Sequence, residues 1–316
     1  MKYIAVQRNP AAGKDRVTKK AAYFSVHIHI LNGWRDGMMR KREPAAVFPA
    51  VLVVCTLLLH LLWTRGIYGT LSEDTCETEL FRQMKVTPEN FREAEEFAGE
   101  YSCDPMEVLS VIMILERLEP ADSFRLEYDT WVRAVEVLGK KREAAFDTMT
   151  DAYRAVFGGL ECFPLTSEDA GGGSFYYENS FGEPRNYGGS RIHEGCDVFG
   201  EQPQRGIYPV LSVCDGYVEK IGWLPLGGYR IGIRSRDGGY FYYAHLDSYG
   251  REFQVGDTVR AGEILGLMGD TGYGEEGSRG KFPVHLHFGC YIRTAHQEEL
   301  SVNSYPILQI LEDQKR

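Results

Sequence analysis

Five side chains in the last 124 residues of the chain have the types and spacing of a metal-dependent hydrolytic site. They are His193, Asp197, His245, His285 and His287. Histidine nitrogen and carboxylate oxygen are common zinc ligands, and a site with three protein ligands keeps one position open for water or substrate. Such a site can hydrolyse a peptide, because the metal activates water and polarises a carbonyl group.

The spacing of these residues requires the chain to bend in one place and to stay extended in another. Four residues of straight strand span about 13 Å, so His193 and Asp197 could not bind one ion through bonds of about 2 Å. Gly195 favours a bend between them, because glycine tolerates backbone conformations that other residues avoid. His285 and His287 lie in an apolar stretch, and residues two apart in a strand point to the same face. Both can therefore address one site.

The segments around these residues predict an all-β antiparallel domain. Short alternating or aromatic-rich segments are separated by glycine turns, and no long helix interrupts them. The predicted strands cover residues 208–218, 229–234, 240–245 and 284–292. In this scheme His245 ends one strand and completes the site across the sheet, and the loop 272–282 forms a mobile wall beside the cleft.

Residues 71–160 are predicted to form a small all-α region. Thr87-Pro88 and Asp104-Pro105 are N-cap and first-turn pairs. Two further helices are predicted at 130–138 and 142–157. No catalytic cluster occurs in this region, so we expect a spacer or interaction domain that offers a surface to another envelope protein. Residues 161–190 are expected to be a glycine-rich linker and lead-in to the β domain.

The N-terminal part differs from the rest in charge and hydropathy. Residues 1–64 contain 10 Lys and Arg against 3 Asp and Glu, a net charge of +7. Since the whole chain has a net charge of −10, the remaining residues carry −17. A strongly acidic main body disfavours a nucleic-acid partner. Residues 45–63 have no formal charge, and as a helix they would rise roughly 28 Å, close to the thickness of a bilayer core.

These features predict a transmembrane signal anchor at residues 45–64 that contacts the lipid bilayer. Basic residues precede it and acidic residues follow it, so the N-terminus, residues 1–44, is expected in the cytoplasm. A buried core helix and a cleaved signal peptide are the alternatives, but the length and the lack of a cleavage site favour an anchor. Translation could also begin at Met38 or Met39, in which case residues 1–37 would not be made.

Residues 175–312 resemble the lysostaphin-like (LytM, M23) zinc metallopeptidases of bacterial cell walls. The resemblance rests on the segments HEGCD, YAHL, GLMGDTG and VHLHF and on the tail VNSYPIL. It implies a zinc peptidase domain at 191–312 with one Zn²⁺. In that domain the ligands would be His193, Asp197 and His287, and the catalytic residues would be His245 and His285.

Two positions depart from the usual pattern of that family. Cys196 stands where the family usually has an uncharged or aromatic residue, and Ser304 stands where proline is common. Cys196 is expected to point away from the site, because it is offset by an odd number of residues from both neighbouring ligands. We expect most of the cysteines to be free thiols, since their spacing is irregular and the chain is long enough to fold without disulfides.

Together these observations predict a membrane-anchored zinc metalloendopeptidase of bacterial peptidoglycan, with its catalytic domain outside the cell membrane. The bond would lie in a stem peptide or in a cross-bridge. The alternative is a scaffold or activator protein of the cell envelope or sporulation machinery, built on the same fold with little or no catalysis. Non-catalytic relatives usually lack ligands, so the presence of all five residues favours catalysis.

Overall fold

The computed structural model describes residues 49–58, 66, 68–69, 71–168, 172–186 and 190–314. The chain divides into two compact units, Met1–Trp63 and Thr64–Arg316. Residues 49–58 of the first unit are helical. Within the described part of the chain, no helix is both long and apolar enough to span a membrane. The predicted cytoplasmic segment and residues 45–48 and 59–64 of the predicted anchor lie outside the described residues.

The second unit begins with helices. A 3-10 helix, Glu73–Glu77, is followed by α1 Glu79–Arg82, α2 Pro88–Tyr101, α3 Pro105–Leu115, α4 Tyr128–Lys141 and α5 Glu143–Phe157. The predicted N-caps of α2 and α3 are confirmed: the Thr87 side chain accepts a hydrogen bond from the Asn90 amide, and the Asp104 side chain accepts one from the Met106 amide. The two later helices are also present, extended by a few residues at α4.

Antiparallel strands follow the helices and precede one last helix, which confirms the predicted fold class of the β domain. The strands are β1 Phe175–Tyr177, β2 Pro184–Arg185, β3 Arg191–Ile192, β4 Cys196–Gly200, β5 Pro209–Leu211, β6 Gly216–Leu224, β7 Gly228–Ser235, β8 Tyr240–Tyr249, β9 Thr258–Val259, β10 Ile264–Met268, β11 Leu286–Ile292 and β12 Leu300–Val302. The main sheet has the order β1-β4-β11-β8-β7-β6-β9, with β10 on β8 and β5, and β12 on β11. Strands β4, β11 and β8 are neighbours, so side chains on them can meet.

Two predictions about this part of the chain were wrong or incomplete. Residues 208–218 are not one strand, because β5 ends at Leu211 and β6 begins at Gly216. The Ser212 hydroxyl donates to the Cys214 carbonyl at 2.7 Å, and such local side-chain bonds compete with strand pairing. The sequence analysis also did not identify the last helix, α6 Tyr305–Asp313, although Pro306 in its first turn is a common helix start.

The helices and the sheet share one hydrophobic core. Helix α5 packs against β11, and the inward residues Leu286, Phe288 and Cys290 of that strand are fully buried. The outward residues of β11, which include His287, face the opposite side. The core therefore fixes the strand whose other face carries the candidate site.

Candidate metal centre and active site

Asp197 and His287 meet because they are direct partners in neighbouring strands. The Cα of His287 on β11 pairs with that of Asp197 on β4, and the His287 Nδ1 lies 3.0 Å from Asp197 Oδ1. Opposite residues of an antiparallel pair bring their side chains together on one face. Two of the predicted ligands are thus positioned by strand register.

His193 reaches the same point from a loop. It lies between β3 and β4, and the chain bends at Gly195. The bend brings His193 Nε2 to 3.0 Å from Asp197 Oδ1 and 2.9 Å from His287 Nδ1. The predicted bend is therefore present, and it converts a spacing of four residues into direct contact.

Glycine is needed at 195 for a different reason from the one expected. A Cβ atom there would lie 2.6 Å from the Phe288 carbonyl oxygen and 2.8 Å from the His287 ring. Contacts this close do not occur between a real Cβ and its neighbours, so any side chain would displace β11 or the imidazole. Gly195 lets the loop lie directly against β11, the strand that carries His287.

The donor atoms of His193, Asp197 and His287 lie close enough together to hold a metal ion. Each pair of them is 2.9–3.0 Å apart. A tetrahedral ion with bonds of about 2.0–2.2 Å keeps its donors roughly 3.3 Å apart, so a small outward shift of each side chain would fit such an ion. The donor set, two imidazoles and one carboxylate, also suits a divalent metal of this kind.

The charge of the cluster is fixed by its contacts. Burial alone would raise the pKa of Asp197, but hydrogen bonds from His193 and His287 and electrostatic interaction with the His287 and His285 rings outweigh it and hold that pKa far below the usual range. Burial lowers the pKa of His287, although its bond to Asp197 opposes this. Asp197 is therefore anionic and His287 neutral, which are the forms in which a carboxylate and an imidazole bind a metal ion.

His245 and His285 stand beside the cluster and are held in a different way. The Nδ1 of His245 bonds the Thr271 carbonyl at 2.8 Å, and the Nδ1 of His285 bonds the Pro283 carbonyl at 2.7 Å. A carbonyl only accepts, so each Nδ1 carries the proton and each Nε2 has a free lone pair. Burial lowers the pKa of both rings, which keeps them neutral and able to accept a proton.

Both rings are within reach of a substrate at the cluster. The His285 Nε2 lies 3.5 Å from Asp197 Oδ1. The ring centre of His245 lies 4.8 Å from that of His285 and 6.0 Å from that of His287. All five residues singled out in the sequence are therefore brought together.

His245 does not end its strand, as the sequence analysis expected. Strand β8 continues to Tyr249, and His245 has a φ of +62° within it. The pairing of β8 with β7 shifts register between Tyr229 and Ile231. A left-handed residue other than glycine inside a strand is uncommon, and such irregularities re-aim side chains near functional sites.

Comparison with known proteins identifies the family. The profile of "Peptidase family M23" matches residues 191–299. The crystal structure of a protein assigned as a glycyl-glycine endopeptidase, LytM, from Ruminococcus gnavus is 37% identical with a TM-score of 0.64, over 75% of this chain and 91% of that one. This chain belongs to peptidase family M23.

Curated relatives of this M23 chain include two named peptidases. The L-Ala–D-Glu endopeptidase of Bacillus subtilis is 37% identical over 191 residues, 60% of this chain and 55% of the relative. Lysostaphin of Staphylococcus simulans is 38% identical over 99 residues, 31% of this chain and 17% of the relative. The chain thus spans about half, or less, of the length of these relatives.

Two residues of the M23 site were missed by the sequence analysis. The Arg185 Nη2 lies 3.0 Å from Asp197 Oδ2 and 2.9 Å from His193 Nδ1. The His193 Nδ1 also lies 3.1 Å from the Ser180 carbonyl oxygen. Outer partners of this kind orient ligating histidines and carboxylates. Both residues precede the HEGCD motif, Ser180 in a loop and Arg185 on the two-residue strand β2, and segments this short give no periodic signal in the sequence.

Two further predictions concern the neighbours of the cluster. The loop 272–282 does form a wall, because the rings of Tyr273 and Phe282 lie 6.1 and 4.5 Å from that of His245. The Cys196 thiol donates to the Glu178 carbonyl at 3.2 Å and is not among the donor atoms of the cluster. Burial and the Asp197 charge raise the pKa of this thiol, so it stays protonated.

Proposed function

We propose that this protein is a membrane-anchored zinc metalloendopeptidase that hydrolyses peptide bonds of bacterial peptidoglycan. The observation that carries the proposal is the meeting of His193, Asp197 and His287 at 2.9–3.0 Å, with two neutral histidines facing the same point. Family membership supports a peptidase, and the donor set supports zinc.

The roles of the residues follow from their contacts. His193, Asp197 and His287 would hold Zn²⁺, which when bound polarises the scissile carbonyl and lowers the pKa of water. His285 or His245 would take the proton of the attacking water on Nε2. Their Nδ1–H bonds to backbone carbonyls would stabilise the resulting imidazolium, and the same ring could then return the proton to the leaving amine.

We take the bond between L-Ala and D-Glu as the first candidate for cleavage. The support is the Bacillus subtilis relative of that name, whose match of 191 residues extends well beyond the 99 residues matched by lysostaphin. Among the curated relatives the longer match therefore favours a stem peptide, but the Ruminococcus gnavus structure, which matches 75% of this chain, is assigned as a glycyl-glycine endopeptidase, so the test includes both bonds.

We also propose that the chain is anchored in the bacterial cell membrane with the peptidase domain outside. The support is the uncharged stretch at 45–63 and the basic residues before it. Binding of an envelope protein through residues 71–160 stays a prediction. The catalytic function is preferred over the scaffold alternative because all five site residues converge.

The test uses the full-length protein purified in detergent. Metal content would be measured by elemental analysis, and cleavage would be followed by mass spectrometry with a peptide that contains L-Ala–D-Glu, a pentaglycine peptide and intact peptidoglycan. We expect one zinc per chain and new termini at the L-Ala–D-Glu bond. Zinc without cleavage of any substrate would support the scaffold alternative, and cleavage of pentaglycine alone would overturn the choice of bond.

A further inference from the structure

Arg191 lies beside the three-residue cluster and has no role in holding it. It is the direct partner of Arg185 in the two-stranded sheet of β2 and β3, so the two side chains lie on one face of that sheet. Arg185 pairs with Asp197. Like charges in directly opposite positions destabilise a sheet, so the stability of β2 and β3 does not explain the second arginine.

The guanidinium group of Arg191 has one edge that is only partly used. Its Nη2 donates to the Tyr273 hydroxyl at 2.8 Å, whereas its Nε is buried and has no hydrogen-bond partner in the part of the chain that the structure describes. Nε and Nη2 form an edge with which arginine can bind both oxygens of a carboxylate. A buried donor without an acceptor is costly, so this edge suits an anionic ligand.

Tyr273 connects this edge to the catalytic histidines. Its ring stacks on that of His245 with centres 6.1 Å apart and an angle of 22°, and the Arg191 Cζ lies 6.0 Å from the Tyr273 ring centre. Tyr273 has a φ of +54°, a conformation that is uncommon for residues other than glycine and that often occurs at binding sites. Arg191 therefore belongs to the same wall of the cleft as Tyr273.

A second arginine without a carboxylate partner lies near this wall. The Nη1 of Arg230, on β7, is buried and also has no hydrogen-bond partner among the described residues. Burial raises the pKa of Tyr242 to about 12, and the charges of Arg230 and Arg191 both act against this rise. The Tyr242 ring lies 5.8 Å from that of His287. Two positive charges therefore act on one buried residue that borders the cluster.

We propose that Arg191 binds the carboxylate of an acidic substrate residue next to the scissile bond, and that Arg230 adds to the positive potential there. This inference rests on the proposed function and names its substrate class, a peptide with an ionised carboxylate beside the bond. In an L-Ala–D-Glu substrate this group is the carboxylate that D-Glu does not use in the chain. A glycine cross-bridge offers no such group.

The distances agree with this assignment. The free carboxylate carbon of D-Glu is three to five bonds from the scissile carbonyl carbon, roughly 4–6 Å, and it would lie about 4 Å from the guanidinium carbon that it pairs with. The path from Arg191 through Tyr273 to His245 has two steps of 6.0 and 6.1 Å, which is a similar length. Only this separation is required, so the contact itself would determine which way the peptide lies in the cleft.

The experiment compares two substrates with the full-length protein in detergent. One is a peptide that contains L-Ala–D-Glu, and the other is the same peptide with the free carboxylate of D-Glu converted to an uncharged carboxamide. We expect kcat/KM to be about tenfold higher for the acid, mainly through KM, since a partly exposed bond between charged groups has about this effect. Arg191→Ala should remove the difference by lowering the value for the acid. Arg191→Lys should restore part of it, because lysine keeps the charge and loses the two-nitrogen edge.

Two controls separate a binding role from a structural one. Tyr273→Phe removes the hydroxyl that Arg191 contacts and should keep the preference for the acid. Arg260→Ala removes the same charge from an exposed residue just after β9, the last strand in the sheet order, and should leave the preference unchanged. Equal kcat/KM for acid and amide in the wild type, or an equal fall for both in Arg191→Ala, would overturn the carboxylate site and leave the peptidase intact.

A binding measurement separates failure of the carboxylate site from failure of the proposed function. Calorimetry with His285→Ala should show tighter binding of the acid than of the amide, and adding Arg191→Ala should abolish that preference. Tighter binding of the acid without cleavage of either peptide by the wild type would support the carboxylate site and overturn the proposed function. Equal binding of the two peptides would overturn the carboxylate site whether or not they are cleaved.

Discussion

The three-residue cluster that could hold a metal ion and the histidine pair lie in one cleft, but different contacts hold them. The cluster residues His193, Asp197 and His287 bond one another and the side chain of Arg185. In the pair, His245 and His285, each ring instead donates from Nδ1 to a backbone carbonyl. The cluster therefore depends on side chains supplied from several segments, whereas the pair depends on the course of the sheet and its loops.

The cluster is also connected to the helical region. The Arg82 Nε and Nη2 at the end of α1 donate to the Ser301 carbonyl and hydroxyl at 2.9 Å, and the Ser301 hydroxyl lies 3.3 Å from Glu194 Oε1, beside His193. The Asn303 side chain joins the Gln83 carbonyl to Asn179, beside Ser180. The helical region thus contacts both segments that position His193.

Loss of a cluster residue should have the largest effect. We expect His193→Ala to weaken zinc binding by more than the roughly 100-fold that loss of an outer partner can cause, because it removes a donor atom. His285→Ala should keep its zinc. Competition with a chelator of known affinity would measure both, and equal zinc loss in the two variants would contradict the division into ligands and catalytic residues.

Loss of a residue of the pair should affect turnover and spare the metal. Removal of a proton-transfer group commonly lowers kcat by about 10²–10⁴, and we expect this for His285→Ala and His245→Ala at full zinc occupancy. Steady-state kinetics with the L-Ala–D-Glu peptide would measure the loss. The variant with the larger fall in kcat identifies the main proton acceptor. Wild-type kcat in both would remove the pair from the mechanism.

Removal of the Arg82 side chain, at the end of α1, should weaken zinc binding and leave kcat unchanged. Arg82→Ala removes the bonds to Ser301, so we expect about tenfold weaker zinc binding, the lower end of outer-partner effects, and near-normal kcat once zinc is saturating. Arg92→Ala is the matched control, because Arg92 on α2 pairs with Asp313 on α6 without touching Ser301. Similar zinc affinities in the two variants would show that Arg82 has no specific role.

Lowering the pH should reduce the free energy of unfolding of the metal-free protein, and this effect should be smaller than those of the substitutions above. The pKa values of His245, His285 and His287 are lowered in the folded state, mainly by burial. Below pH 6.5 the unfolded chain therefore binds protons that the folded chain does not, so stability present above that pH is lost as pH falls toward the folded values. Asp197 acts in the same direction below its unfolded pKa of 3.8.

Urea unfolding of the metal-free protein at pH 8 and pH 5.5 measures this effect. We expect the free energy of unfolding to fall between pH 8 and pH 5.5, by at most about 1.4 kcal/mol for each of the three histidines, the limit set by an unfolded-state pKa of about 6.5. His245→Asn removes one of them and should reduce the loss by a similar amount. Unchanged or greater stability at pH 5.5 would mean that the histidines are charged in the folded protein.

Much of the site could be predicted because its information is local. The two-residue spacing of His285 and His287 fixes their common face in any strand, and Gly195 marks the bend in the HEGCD motif. The antiparallel fold and the starts of α2 and α3 also follow from short patterns. The break between Leu211 and Gly216 was not predicted, because the apolar residues around it continue the alternation of a strand.

By itself, the sequence singled out the five residues that converge, most of the strands and helices, and the family. Only the tertiary structure decided how those residues are held. Strand register pairs Asp197 with His287, and the positive φ of His245 aims its ring at the cleft. Ser180 and Arg185 contact the cluster directly, whereas Arg82 is connected to it through Ser301 and Glu194. Such contacts depend on the packing of the whole chain, and residue type and spacing do not record them.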